Sequence, residues 1–159
     1  MNLNDLLLIL FGALMATAGG VLTELLKIRF EEGRRSDTLK AQLSVAIDKS
    51  VKTISALVES YEESKPPLIH GSHVEKLRGT ILMYEQPSRD IYLLEKSLRD
   101  DIMDFFDRQN SLVSEVGELV SAAEGNGKKE KEIQVEHDRK IAAFRSLKSD
   151  GERIFERLQ

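Results

Sequence analysis

The stretch Leu6–Thr23, LLLILFGALMATAGGVLT, constrains this chain more than any other: it holds 18 consecutive uncharged residues between Asp5 and Glu24. As a helix it would be about 27 Å long, close to the ~30 Å hydrocarbon core of a bilayer. Leu3 to Phe11 is apolar on nearly every helix face. A helix in a small bundle buries one stripe, so a segment that is apolar all round calls for an apolar solvent. The expectation is a single membrane span near the lower end of the usable length.

The flanks orient it. No Lys or Arg precedes the stretch, whereas Lys27, Arg29, Arg34 and Arg35 follow it. Basic residues beside a span stay in the cytoplasm and acids count for little, so Glu24, Glu31 and Glu32 do not cancel the signal. The expected location is the cell membrane, single-pass, with the N-terminus outside and the C-terminal domain cytoplasmic. Two readings compete with this. Ala16-Thr17-Ala18 has the small-x-small form of a signal-peptide cleavage site after the apolar run Leu6 to Met15, but Asp5 stands where a basic leader should be. A buried helix of a soluble protein is the other, and the apolar circumference opposes it. Gly12, Ala16 and Gly20 recur every four residues, a face on which a second span can approach closely. Gly and Ala are common in spans without any pairing role.

About 125 residues lie beyond this anchor and its basic flank, enough for one domain with a modest core. Charged residues make up 31% of the chain, aromatics 6%, and Trp is absent, a helical and surface-rich composition. A net charge of −4 leaves no broad basic face for nucleic acid. The local cluster after the span suits lipid head groups better. With no Cys, a disulfide framework, thiolate metal sites and thiol catalysis are excluded.

Past the basic segment the apolar residues fall at helical spacing. Gly33 offers a bend, and Ser36 or Asp37 can cap a new helix over 36–64, carrying Leu39, Leu43, Ala46, Ile47, Ile54, Leu57, Val58 and Tyr61 on one side. Pro66-Pro67 ends it, since both ring nitrogens lack a donor. Ser72-His73-Val74-Glu75 matches a capping box and predicts a short helix over 72–84. Pro87 stops that helix, and Ser88 caps a long one over 88–123.

In this last stretch Leu98, Ile102, Phe105, Leu112, Val116 and Leu119 form the candidate core stripe, interrupted only by Gln109. Phe106, Val113 and Val120 widen it beyond a two-stranded seam, which favours a bundle. Gln109 reads either as a register-fixing polar residue or as an exposed edge. Gly117 marks a close crossing or a bend. Gly125-Asn126-Gly127 reads as a turn. A charged helix over 129–158 then brings Phe144 and Leu147 to the core, with Gly151 as a weak point. The short link makes helices 88–123 and 129–158 a hairpin, with 36–64 packed against it.

The chemistry-bearing residues are sparse. His70 and His73 lie three apart with Glu75 near, but Gly71 and Ser72 place His70 in a loop. His137 stands alone among charges and reads as exposed. Asp100, Asp101, Asp104 and Asp107 fall mostly off the apolar stripe, with Asp104–Arg108 and Glu95–Arg99 as i,i+4 pairs. A paired-carboxylate site would need a desolvated acid. No phosphate loop, nucleophile elbow or HExxH motif occurs.

These readings converge on an all-α chain: an N-terminal single transmembrane helix followed by an elongated antiparallel bundle of three long helices and one short. The expected domains are the anchor 1–24, the basic juxtamembrane segment 25–35 and the cytoplasmic bundle 36–159. The expected role is an interaction or scaffolding module without catalytic activity, cofactor or metal. Its expected partners are membrane lipid and a protein partner or a second copy, with no nucleic acid and no small-molecule substrate. The alternative is an extracytoplasmic ligand-binding or envelope-spanning stalk, with the span reversed or cleaved.

Overall fold

Spacings of three and four dictate helices, and helices are what forms. The computed structural model describes the backbone of residues 3–64, 69–125 and 130–159, and within these the side chains of 15, 17, 19–64, 69–121 and 134–159. Among the described residues four α-helices follow one another: α1 (Leu3–Glu63), α2 (Gly71–Glu85), α3 (Lys96–Gly125) and α4 (Glu130–Leu158). A short 3-10 helix, Pro87–Leu93, joins α2 to α3. Among the described residues there is no strand.

The chain divides into two units, Met1–Thr38 and Leu39–Gln159. In the first, the expected helix break at Gly33–Asp37 does not occur, and α1 runs through it. An isolated Gly costs about 1 kcal/mol in a helix, and with no Pro nearby that is too little to stop one. Thr38 bonds its hydroxyl back to the Arg34 carbonyl at 2.9 Å, a contact within a continuing helix. Among the described residues, no helix is long and apolar enough to cross a membrane. Most side chains of the expected span Leu6–Thr23 lie outside the described residues, Gly12 and Ala16 included.

The second unit is a helical bundle. Its α1 portion buries Leu39, Leu43, Ala46, Ile47, Ile54, Leu57 and Tyr61 along one face. They meet Leu98, Ile102, Phe105, Phe106, Val113 and Val116 of α3, Ile141, Phe144, Leu147 and Ile154 of α4, and Val74 and Leu77 of α2 in one core. Each Val, Leu, Ile or Phe among them contributes on the order of 1.5–3 kcal/mol when fully buried. Of the predicted stripe, Leu112 is half-buried against this core, and Leu119 is half-exposed.

Antiparallel register of α3 on α4 is marked by ion pairs. Asp101 meets Arg157, Arg108 meets Asp150 at 2.7 Å, and Glu115 meets Lys140. The α3 partners stand seven residues apart, two helical turns, while the α4 partners descend. Arg145 of α4 pairs with Glu62 of α1. The expected Glu95–Arg99 pair is not made: Arg99 pairs with Asp100 at 3.4 Å, and the Ser97 hydroxyl donates to Glu95.

Two helix starts differ from expectation. The N-cap of α2 is His70, extended at φ −86° and ψ 144°, and no side chain caps it. Because the helix begins at Gly71, Ser72 lies inside it and the capping box does not form. Glu75 instead accepts from Arg78 at 2.9 Å. The long helix expected over 88–123 begins at Lys96. Ser88 donates its hydroxyl backward to the Glu85 carbonyl at 2.8 Å, so it does not cap forward. Pro87 opens the tighter 3-10 turn, and buried Leu94 is extended at φ −86° and ψ 156°. The 30 residues of α3 span about 45 Å. At its other end Gly125 is still helical, and Asn126–Lys129 lie outside the described residues.

Glycine decides one contact. Gly151 of α4 is buried where a Cβ would stand 2.7 Å from both Phe105 Cε2 and Val51 Cγ2. The residue expected to weaken α4 is therefore where side chains of α1 and α3 close on the α4 backbone.

Candidate functional site

Among the described residues, the surface of the first unit and two polar settings within the bundle hold residues that core packing does not explain.

On the first unit, Met15, Val21, Leu22, Leu25, Leu26, Ile28 and Phe30 are all exposed, Phe30 at 72%. Lys27, Arg29, Arg34 and Arg35 are exposed among them. The described member of the small-residue face, Gly20, has open space around its Cα, with nothing within 4 Å of a Cβ built there. Thr23 bonds the Gly19 carbonyl at 2.8 Å, which satisfies its hydroxyl within the helix.

Inside the bundle, Gln109 is fully buried between α3 and α2. Its Nε2 donates to Thr80 Oγ1 at 2.8 Å and to the Leu77 carbonyl at 3.4 Å. Thr80 donates to the same carbonyl at 2.8 Å. Among the described residues, Gln109 Oε1 has no partner. The stacked Tyr84 and Phe106 rings, 4.1 Å apart, join the same two helices. Burial pushes the Tyr84 phenol up, and the Asp107 charge adds to this.

The third setting surrounds His137, which sequence placed on the surface and which is 1% exposed. Ile69 donates its backbone N–H to His137 Nδ1 at 3.5 Å. The Tyr61 ring lies edge-on, centroids 6.4 Å apart. Tyr61 donates its hydroxyl to Asp138 at 2.7 Å and accepts from Gln134 Nε2 at 2.6 Å. Burial first, then the Asp138 hydrogen bond and charge, push this phenol up to about 12, with Gln134 opposing. Burial pulls the His137 imidazole below its usual value, and Asp138 works the other way. The helical pattern around Ile133, Ile141 and Phe144 was the available signal: His137 stands four residues from two of them, on the apolar side.

At the start of α2, Gly71, Val74, Glu75 and Arg78 face Gly117, Val120 and Ser121 of α3 across an open cavity of about 130 Å³. A Cβ on Gly117 would stand 3.3 Å from the Arg78 guanidinium and 3.8 Å from Val74 Cγ1, so this glycine faces α2 side chains. His70 and His73 lie beside this cavity's first residue, ring centroids 6.1 Å apart. Burial, then Lys76 and His70, pull the His73 imidazole down. Glu75 is held by Arg78, and among the described residues no group of three His, Asp or Glu side chains can hold a metal.

A general acid needs its pKa raised by desolvation. Glu115 moves the other way, lowered by hydrogen bonds from Lys140 and Ser111. The Asp150 hydrogen bond raises the Arg108 guanidinium, as befits a structural pair. No family model, curated protein or solved structure matches this chain.

Proposed function

We propose that the chain is a single-pass membrane protein whose helical bundle serves as an interaction or scaffolding module, without catalytic activity. The observation that carries this reading is the uncharged run Leu6–Thr23, followed at once by Lys27, Arg29, Arg34 and Arg35. A helix that is apolar on all sides needs lipid or a protein partner around it. The exposed Met15, Leu22, Leu25 and Phe30 support the same need. Lipid is the first partner, and a protein or a second copy docked on the bundle is the second. On this reading Gly12, Ala16 and Gly20 face another span, and the bundle lies in the cytoplasm.

Sedimentation tests the anchor. Full-length protein made without detergent is expected in the membrane pellet after alkaline extraction, and protein lacking residues 1–24 in the supernatant. Recovery of the full-length chain in the supernatant would defeat the proposal. The small-x-small sequence Ala16-Thr17-Ala18 favours a second reading, an extracytoplasmic stalk with its leader cleaved. The chain has no Cys, so a single Ser149→Cys on an exposed position of α4 reports sidedness. Labelling of intact cells by an impermeant thiol reagent supports the stalk; labelling only after lysis supports the cytoplasmic bundle.

A further inference from the structure

The His137 setting is built in a way that core packing does not require. His137 is 1% exposed, yet among the described residues its Nε2 has no hydrogen-bond partner. Nδ1 accepts from a backbone N–H and is therefore the bare nitrogen, which puts the ring proton on Nε2. A Leu or Phe would fill such a position without an orphaned donor, at lower cost. What His supplies is a hydrogen bond that exists in one protonation state only.

We propose that His137 is an acid-sensitive latch between α4 and the entry to α2. Protonation places a hydrogen on Nδ1, which then faces the Ile69 N–H donor to donor. That bond is lost and a charge is left in a buried site. Ile69 is itself 5% exposed in the core and immediately precedes the His70 cap of α2. Its release frees the first turn of α2, and with it the Gly71 and Val74 wall of the α2–α3 cavity.

Among the described residues, the groups facing the ring are few. From α1 comes Tyr61, whose phenol stays neutral throughout the relevant range. From α4 come Asp138, whose charge opposes the shift, and Gln134, engaged with Tyr61. From the entry to α2 comes the Ile69 backbone, while His70 and His73 lie against each other. Burial wins over Asp138, so the folded chain binds the His137 proton less readily than the unfolded chain. The latch is complete above the ordinary histidine value near 6.5 and opens progressively as pH falls below it.

The test uses the full-length protein in detergent micelles, with isotope-labelled histidines followed by NMR and amide exchange read at Ile69. His137 is expected to titrate below the ordinary histidine value. The opening equilibrium at the Ile69 amide, corrected for intrinsic exchange, is expected to rise about fivefold or more between pH 7.5 and 5.5. His137→Gln, whose side-chain carbonyl can accept the Ile69 N–H but cannot titrate, should abolish the rise. His73→Gln should keep it. A His137 pKa at or above 6.5, or a pH-independent Ile69 amide in the unmodified protein, overturns the proposal; so does an unchanged rise in His137→Gln. The two readings on the unmodified protein decide the matter if that variant fails to fold.

Discussion

Residues 15–38 and 39–63 belong to one helix, yet they treat their apolar side chains in opposite ways. Phe30 is 72% exposed, Leu22 60% and Leu25 56%. Leu43, Ala46, Ile47 and Ile54 are at 0%. The amount of apolar residue does not separate the two regions, since both are rich in it. Arrangement does. From Leu39 onward the apolar residues form one stripe, and the opposite side carries Gln42, Lys49, Lys52 and Glu59. A stripe can be covered by α3 and α4. From Met15 to Phe30 the exposed apolar residues are interleaved with Glu24, Lys27 and Arg29, so they form no single stripe of that kind.

The largest effect that tests this contrast comes from removing one phenylalanine on each side of it. Phe105→Ala empties a position that is 1% exposed and edge-on to Phe106 at 5.1 Å. It should lower the stability of the bundle by about 3–5 kcal/mol, read by chemical denaturation followed by circular dichroism. Phe30→Ala should leave that transition within about 0.5 kcal/mol. Equal losses in the two variants would mean that the first unit is part of the same cooperative core.

Glycine substitutions sharpen the comparison at a smaller scale. Gly33→Ala meets nothing within 4 Å, so it should gain helix propensity, up to about 1 kcal/mol. Gly151→Ala gains the same propensity but drives a Cβ to 2.7 Å from Phe105 and Val51. Phe105 is held by its neighbours and has little room to move. Overpacking of this kind costs about 1–3 kcal/mol, which outweighs the gain. The two variants should therefore move thermal unfolding in opposite directions, or Gly33→Ala should leave it unmoved. A stabilising Gly151→Ala would show that the three helices can part without cost.

How far these features were legible follows from what is local. The stripes of α3 and α4 were readable because burial repeats every three or four residues, and Phe105, Val116, Phe144 and Leu147 lie in the core for that reason. A helix end was readable before Pro87, where a missing donor acts on the chain itself; α1 ends at Glu63, and the expected breakers Pro66-Pro67 lie outside the described residues. Gln109 was readable only as a choice between two settings, because its burial depends on Thr80 and Leu77, 29 and 32 residues away. His137 was misplaced for the same reason: charged neighbours on both sides suggested solvent, while the acceptor role of its Nδ1 depends on Ile69. Gly151 looked like a weak helix residue, and only the approach of α1 and α3 gives it a purpose. The ion pairs divide likewise. Asp104–Arg108 at 3.5 Å lies within one helix and was foreseen, whereas the closer Asp150 partner comes from another.

That division yields the smallest of the expected effects, and it separates local from cross-helix specification on the bundle surface. Arg108 has two carboxylate partners. Asp150 lies at 2.7 Å and is 25% exposed, and Asp104 lies at 3.5 Å and is 66% exposed. Solvent screens the second pair more, so Asp104→Asn should cost between zero and about 0.5 kcal/mol. Asp150→Asn should cost more, up to about 1 kcal/mol, and should lose most of that excess in 1 M salt. Asp150 also accepts from Arg153 at 3.1 Å, so the cycle is best closed with Arg108→Met, which leaves the Arg153 contact in place. A coupling between Arg108 and Asp150 larger than that between Arg108 and Asp104 would assign the rung a part in setting the α3–α4 register. Equal couplings would leave that register to the apolar stripe alone.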